Sequence, residues 1–169
     1  ELYTEWMSCK TFHICVLLLR GGKIYINHSD FSDMNNGIAY GEYGVLDVQN
    51  TYFRNGRFGI SGNFGTSGNP FEKFTGNSAF IHATYNYFDG MYQGGYFQYS
   101  TKQGLVNVNF KVENNTFKTN NTVGAVFGGN SIVGDYTVGA NYYGDPSGPH
   151  SDANPTGKGT QIYYGAKTI

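Results

Sequence analysis

FKVENNTF, residues 110–117, decides the fold. Phe110 and Val112 alternate with Lys111 and Glu113, as residues must on a strand with one buried face. Asn114 and Asn115 are of the type that tolerates a sharp bend, and Phe117 returns an apolar side chain to the interior. Eight such residues cannot bury themselves, so the pattern requires neighbours of the same kind. They are present at Ile24–Phe31 (IYINHSDF), Leu46–Phe53 (LDVQNTYF), Ile81–Phe88 (IHATYNYF) and Tyr136–Tyr143 (YTVGANYY). A chain of such units buries a continuous core by stacking one on the next.

The closing aromatics Phe31, Phe53, Phe88, Phe117 and Tyr143 lie 22, 35, 29 and 26 residues apart. Twenty-two residues make the bare coil. The longer intervals hold Gly-, Asn-, Ser- and Thr-rich insertions at Gly62–Asn77, Tyr99–Gly104 and Thr119–Gly129, which read as surface loops. Aligned on the aromatics, the positions seven and five residues earlier are apolar: Ile24, Leu46, Ile81, Phe110, Tyr136, then Ile26, Val48, Ala83, Val112, Val138. Two residues before each aromatic stands a small polar column, Ser29, Thr51, Asn86, Asn115 and Asn141, suited to a side-chain ladder that also relieves the backbone at the bend. The segments Gly37-Ile38, Gly59-Ile60 and Gly124-Ala125-Val126 predict one further short strand per coil.

Repeats of the form apolar-x-apolar-x-Asn-x-x-Phe followed by Asn-Gly-Ile resemble the right-handed parallel β-helix repeats of the pectate-lyase-like superfamily. The tail Asn141-Tyr142-Tyr143-Gly144-Asp145-Pro146-Ser147-Gly148-Pro149, continuing through Asn154-Pro155 and Gly157-Lys158-Gly159, is similar to a terminal segment common in those proteins. The resemblance spans residues 23–143 and the tail. It implies an all-β, single-stranded right-handed solenoid of about five or six coils and a setting outside the cell or on its surface. Such repeats serve lyases, hydrolases, binding modules and inert scaffolds alike, so the fold leaves the chemistry open.

The whole chain reads as one domain, with 1–22 an N-terminal cap or partial coil, 23–143 the coils and 144–169 a C-terminal extension. Over 1–20 the periodicity fits a short amphipathic helix and a strand equally well. The run Ile14–Leu19 has the apolarity of a secretion signal without an evident cleavage site, and is too short to span a bilayer. Cys9 and Cys15, six residues apart, would be about 20 Å apart on one extended strand and need a turn between them to bond; two buried thiols are expected.

Only 14% of the 169 residues are charged and the net charge is -1, which excludes a nucleic-acid-binding face. Aromatics make up 17%, including 15 Tyr and 13 Phe. Polar without charge and rich in phenols, such a surface suits packing ladders or flat ligands. The column just before the aromatic holds Tyr52, Tyr87 and Tyr142, interrupted by Thr116; Arg54 and Lys118 flank it, and Tyr25 stands on the outward face of the preceding strand. Together Tyr25, Tyr52, Tyr87, Tyr142, Arg54 and Lys118 form the candidate ligand-binding set for a polysaccharide, by ring stacking and directed hydrogen bonds, with an aromatic ladder between coils as the structural alternative.

Asp47, His82 and Lys111 fall on successive coils in one outward column and, with Arg54, are the candidates for a lyase or glycoside hydrolase. Hydrolysis normally takes two carboxylates across the bond, and none pairs with Asp47. His28, at the bend with Asn50 and Asn114, reads as structural, and His13 and His150 show no metal spacing. No cofactor is expected; Asp145 with Asp152 is the one place for a calcium ion, against a simple turn cap. Asn27, Asn114 and Asn120 open glycosylation sequons. A third possibility is an adhesive surface repeat whose open ends stack on one another.

Overall fold

A computed structural model describes residues 1–18, 21–40, 44–62, 78–98, 107–128 and 136–164. The expected insertions at Gly62–Asn77 and Tyr99–Gly104 lie almost wholly outside these residues. Every element is a strand and every ladder between named strands is parallel.

The chain visits three sheets in rotation. The first circuit is β1 (Leu2–Glu5), β2 (Ser8–Lys10) and β3 (Ile14–Leu18); the second is β4 (Gly22–Asn27), β5 (Asp30–Ser32) and β6 (Asn36–Tyr40). The third is β7 (Gly44–Gln49), β8 (Tyr52–Arg54) and β9 (Phe58–Ser61), and the fourth β10 (Ser78–Thr84), β11 (Tyr87–Asp89) and β12 (Gln93–Gln98). The fifth is β13 (Asn107–Glu113), β14 (Thr116–Phe117) and β15 (Val123–Gly128); β16 (Tyr136–Gly139), β17 (Pro149–His150) and β18 (Gly159–Tyr164) follow. Sheet A stacks β1-β4-β7-β10-β13-β16, sheet B β2-β5-β8-β11-β14, and sheet C β3-β6-β9-β12-β15-β18-β17.

The predicted columns are the observed registers: Leu46 pairs Ile81, Ile81 pairs Phe110, Phe110 pairs Tyr136, and Phe53 pairs Phe88. The inward Phe column is fully buried, with Phe53, Phe88, Phe117 and Tyr143 stacked nearly parallel at centroid spacings of 4.9, 4.7 and 5.5 Å. Burying each ring contributes on the order of 2–3 kcal/mol. Beneath the rings runs a glycine column, Gly37, Gly59 and Gly94, where the sheet C backbone passes against Phe53, Phe88 and Phe117, and Gly124 continues it against Thr160.

Corners also repeat. The residue three before each aromatic has positive φ at every circuit, from Trp6 (59°) through His28, Asn50, Tyr85 and Asn114 to Ala140 (51°). A second such column stands two after the aromatic: Thr11, Asp33, Asn55 and Gly90. In this conformation the corner N–H still points along the stacking direction, so His28 N–H donates to the Gln49 carbonyl (3.3 Å) and Asp33 N–H to that of Arg54 (3.1 Å), and the ladder carries on around the bend.

At the N-terminal end, where helix and strand periodicity fitted equally well, the chain forms the strands β1, β2 and β3, which pair in register with the second circuit: Leu2 with Ile24, Cys9 with Phe31, Val16 with Ile38. Cys9 and Cys15 are not free thiols but a disulfide, with Cα atoms 6.0 Å apart, because the left-handed residue Thr11 turns the chain between them. Cys9 occupies the column that elsewhere holds Phe, and Cys15 the column that holds Gly. The bridge therefore stands where a ring and a glycine would meet, at a circuit whose outer side leaves Leu2 46% exposed. Closing so short a loop constrains the unfolded chain by about 2 kcal/mol; reduction, or Cys9→Ser with Cys15→Ser, is expected to lower the melting temperature by about 4–8 °C, read by circular dichroism with and without reductant. At the other end Gly159–Tyr164 joins sheet C, Ala125 pairing Ile162, after the mostly irregular segment from Gly144 to Lys158 that includes the two-residue β17. Asp145 ties that segment by accepting from the Ser147 N–H (2.8 Å) and hydroxyl (2.6 Å). The Ser147 side-chain and backbone hydrogen bonds hold its carboxyl below the usual range.

Candidate functional site

Because the strands alternate in and out, each sheet presents lines of outward side chains one circuit apart. Sheet A carries Tyr3, Tyr25, Asp47, His82, Lys111 and Thr137 in one line. Sheet B carries Asp30, Tyr52, Tyr87 and Thr116, with Tyr142 bridged to Thr116 at the end.

The candidate binding residues thus divide between faces. Tyr52, Tyr87, Tyr142, Arg54 and Lys118 share sheet B or its continuation. Tyr25 stands on sheet A, stacked on Tyr3 at 4.4 Å with ring planes 4° apart. It lines a groove of about 370 Å³ with Glu5, Asn27, Asp47 and Gln49. On sheet B, Tyr52 is 51% exposed and Tyr142 45%. The Tyr52 and Tyr87 rings are 5.3 Å apart and tilted by 48°, so they do not close face to face. Lys118 Nζ lies 5.6 Å from the Tyr87 ring centre. Hydrogen bonding with the Tyr87 hydroxyl, with the Asp89 carboxylate adding to it, holds the Lys118 ammonium above its ordinary range. Arg54 reaches back to Asp30 through two nitrogens, Nε to Oδ1 at 3.2 Å and Nη2 to Oδ2. Its fork is committed to a half-exposed ion pair, of a kind that contributes little to stability.

The acid–base candidates are adjacent in the sheet and each is tied sideways. Asp47 Oδ1 accepts from Gln49 Nε2 at 3.0 Å, His82 Nε2 lies 2.8 Å from Asn109 Oδ1, and Lys111 Nζ is 3.5 Å from Glu113 Oε2. Arg54 belongs to sheet B and is bonded there to Asp30, apart from the sheet A line of these three. Among the described residues no cluster of three His, Cys, Asp or Glu could hold a metal ion, and no helix is long and apolar enough to cross a membrane.

Where sheets A and B meet, a second groove of about 360 Å³ opens between the Tyr52–Tyr87 rim and the left-handed corner residues His28, Asn50, Tyr85 and Asn114. Its floor is the polar ladder. Asn86 and Asn115, both 1% exposed, are aligned head to tail: the Asn86 N–H donates to Asn115 Oδ1 (2.9 Å), and the Asn115 N–H to Asn141 Oδ1 (2.9 Å). The side-chain amides of Asn86, Asn115 and Asn141 donate in turn to the carbonyls of Val48, Ala83 and Val112. The predicted ladder is therefore real, and it makes this corner rigid. His28 stands at the bend in line with Asn50 and Asn114, as expected, and is exposed, with its ring stacked at 4.9 Å on that of Trp6.

No family model, curated protein or solved structure matches the chain. Function therefore rests on the two faces themselves. Of the rings that border these two faces, the sequence columns singled out Tyr52 and Tyr87 as candidates and passed over Trp6 and Tyr85. The signal was their register with Asn50 and Asn114; it was hidden because a bulky ring is the last residue type expected at a left-handed bend.

Proposed function

We propose that the protein is an extracellular polysaccharide-binding module, built as a right-handed parallel β-helix of the pectate-lyase-like kind. The observation that carries the reading is the Tyr52–Tyr87 rim beside a rigid polar corner groove. Two tilted, solvent-facing phenols offer apolar faces to sugar rings, while Asn50, Asn114 and Thr116 offer donors and acceptors for the hydroxyls between. The rotation of one chain through three parallel sheets, with an inward aromatic stack and an Asn ladder, supports the β-helix assignment. The Cys9–Cys15 disulfide supports an oxidising compartment, since such bonds are rare where thiols are kept reduced.

Titration calorimetry against a panel of plant and microbial polysaccharides tests the proposal. Binding to at least one is expected, with Tyr52→Ala and Tyr87→Ala each weakening it tenfold or more, a change of about 1.4 kcal/mol. Silence across the whole panel would sink it. The same mixtures assayed for reducing ends or unsaturated uronates are expected to show no turnover, because hydrolysis takes a pair of carboxylates and Asp47 is bonded to Gln49 rather than facing a second acid, while Arg54 is bonded to Asp30 on sheet B.

A further inference from the structure

We infer that the left-handed corner line Trp6–His28–Tyr85, continued by Asn50 and Asn114, is the seat of one extended, uncharged glycan chain lying along the stacking direction. The inference rests on the polysaccharide-binding reading and names both the ligand class and the residues that read it. All six corner positions require positive φ, between 48° and 59°. Asn tolerates this conformation and does occupy it at Asn50 and Asn114, whereas a bulky aromatic residue there is strained. Trp6 and Tyr85 accept that strain, while His28, like Asn, is of a type that enters this conformation readily.

The backbone does not need these rings. The corner N–H donates to the next circuit whichever side chain is present: Trp6 to Asn27 O (3.2 Å), Asn50 to Thr84 O (3.3 Å), Tyr85 to Glu113 O (3.3 Å) and Asn114 to Gly139 O (3.4 Å). Nor does the core need them. Trp6 is 75% exposed and Tyr85 61%, the first the most exposed large apolar side chain among the described residues. The Tyr85 ring has no stacking partner among them. Strained, exposed and dispensable to the fold, rings of this kind are explained by a ligand.

Spacing and charge identify it. His28 and Tyr85 are two circuits apart, about 10 Å at the ordinary strand separation, with Asn50 between them. That interval suits a two-fold, β-1,4-linked chain, in which every second sugar presents the same face. Among the described residues, the lining of the adjoining groove, which includes Tyr52, Tyr87 and Asn114, holds no carboxylate, lysine or arginine, and Lys118 on the Tyr87 side is already engaged with that ring, so the lining itself offers a uronate no counter-charge.

The test uses cellohexaose and mannohexaose as neutral probes and hexagalacturonate as the charged one, titrated into the parent, Tyr85→Asn, Trp6→Asn and Tyr52→Ala proteins, with a melting curve for each. The parent is expected to bind a neutral hexasaccharide more tightly than hexagalacturonate. Tyr85→Asn and Trp6→Asn should each lose tenfold or more in affinity, while Tyr85→Asn melts no lower than the parent and up to about 2–4 °C higher. Unchanged affinity in both Asn variants, with binding lost in Tyr52→Ala, would overturn the corner line and leave the polysaccharide reading standing. A lowered melting temperature in Tyr85→Asn would assign the ring to stability and overturn the inference, as would tighter binding of hexagalacturonate. A parent that binds none of the three probes, yet binds another polysaccharide of the panel, would overturn the ligand class alone; no binding to anything would overturn both.

Discussion

Gly59→Ala is expected to destabilise the protein by about 3 kcal/mol, near the upper end of overpacking costs, and to lower its melting temperature by about 6–12 °C. A Cβ at Gly59 would stand 2.8 Å from both Cδ1 and Cε1 of Phe88 and would also strike the Gly94 carbonyl oxygen. Neither neighbour can yield. The Phe88 ring is held between Phe53 at 4.9 Å and Phe117 at 4.7 Å, within 7° of parallel to each, and moving it would displace the whole stack. Gly94 belongs to the adjacent strand β12, locked to β9 by the ladder. Gly139 is the control: a Cβ there meets nothing within 4 Å, and Gly139→Ala should cost nothing. Thermal melts of the two variants side by side decide the matter. A Gly59→Ala protein melting within 2 °C of the parent would mean that the ring stack and glycine column are not packed as described.

The same contact explains which parts of the fold could be read in advance. Inward positions of the central coils alternate with period two and repeat the same residue types, so Ile24, Leu46, Ile81 and Phe110 declare their face and their register together. The first circuit hides because its two diagnostic positions are replaced: Cys9 stands 22 residues before Phe31, and Cys15 the same distance before Gly37. The spacing was legible; the exchange of a ring–glycine contact for a disulfide was not, since a cysteine pair carries no period. The strand at Gly159–Tyr164 was obscured by the loop before it, which delays the return to sheet C without altering the register. At the candidate site, register alone placed Tyr52 beside Tyr87 and showed Thr116 interrupting the row. What Arg54 and Lys118 do there depends on side chains reaching across columns, to Asp30 and to Tyr87, and no column alignment contains that information.

Asn115→Asp is expected to cost about 3–5 kcal/mol at neutral pH, as an uncompensated buried charge does. The Asn115 side chain is 1% exposed and works in both directions. Its Oδ1 accepts from the backbone N–H and the Nδ2 of Asn86 (2.9 and 3.1 Å), and its Nδ2 donates to Ala83 O (2.8 Å) and Asn141 Oδ1 (3.0 Å). A carboxylate keeps the first pair of bonds but turns an oxygen toward two oxygens. Protonation restores one of the two lost donors, so the loss depends on pH, and its sign is fixed. Burial and the facing oxygens disfavour the charged form, raising the folded-state pKa of the introduced carboxyl above its unfolded value of about 3.9. The variant is therefore least destabilised below the unfolded pKa and loses stability as pH rises through the folded one. The gap in melting temperature between parent and variant should widen from pH 4 to pH 7. Asn115→Ala supplies the contrast: it strands the Asn86 N–H and the Ala83 carbonyl at any pH, at about 1–3 kcal/mol for each buried group left unpaired, and its gap should stay level over the same range. A constant gap for Asn115→Asp, or none, would show that the Asn115 amide is not the donor that ties the ladder to sheet A.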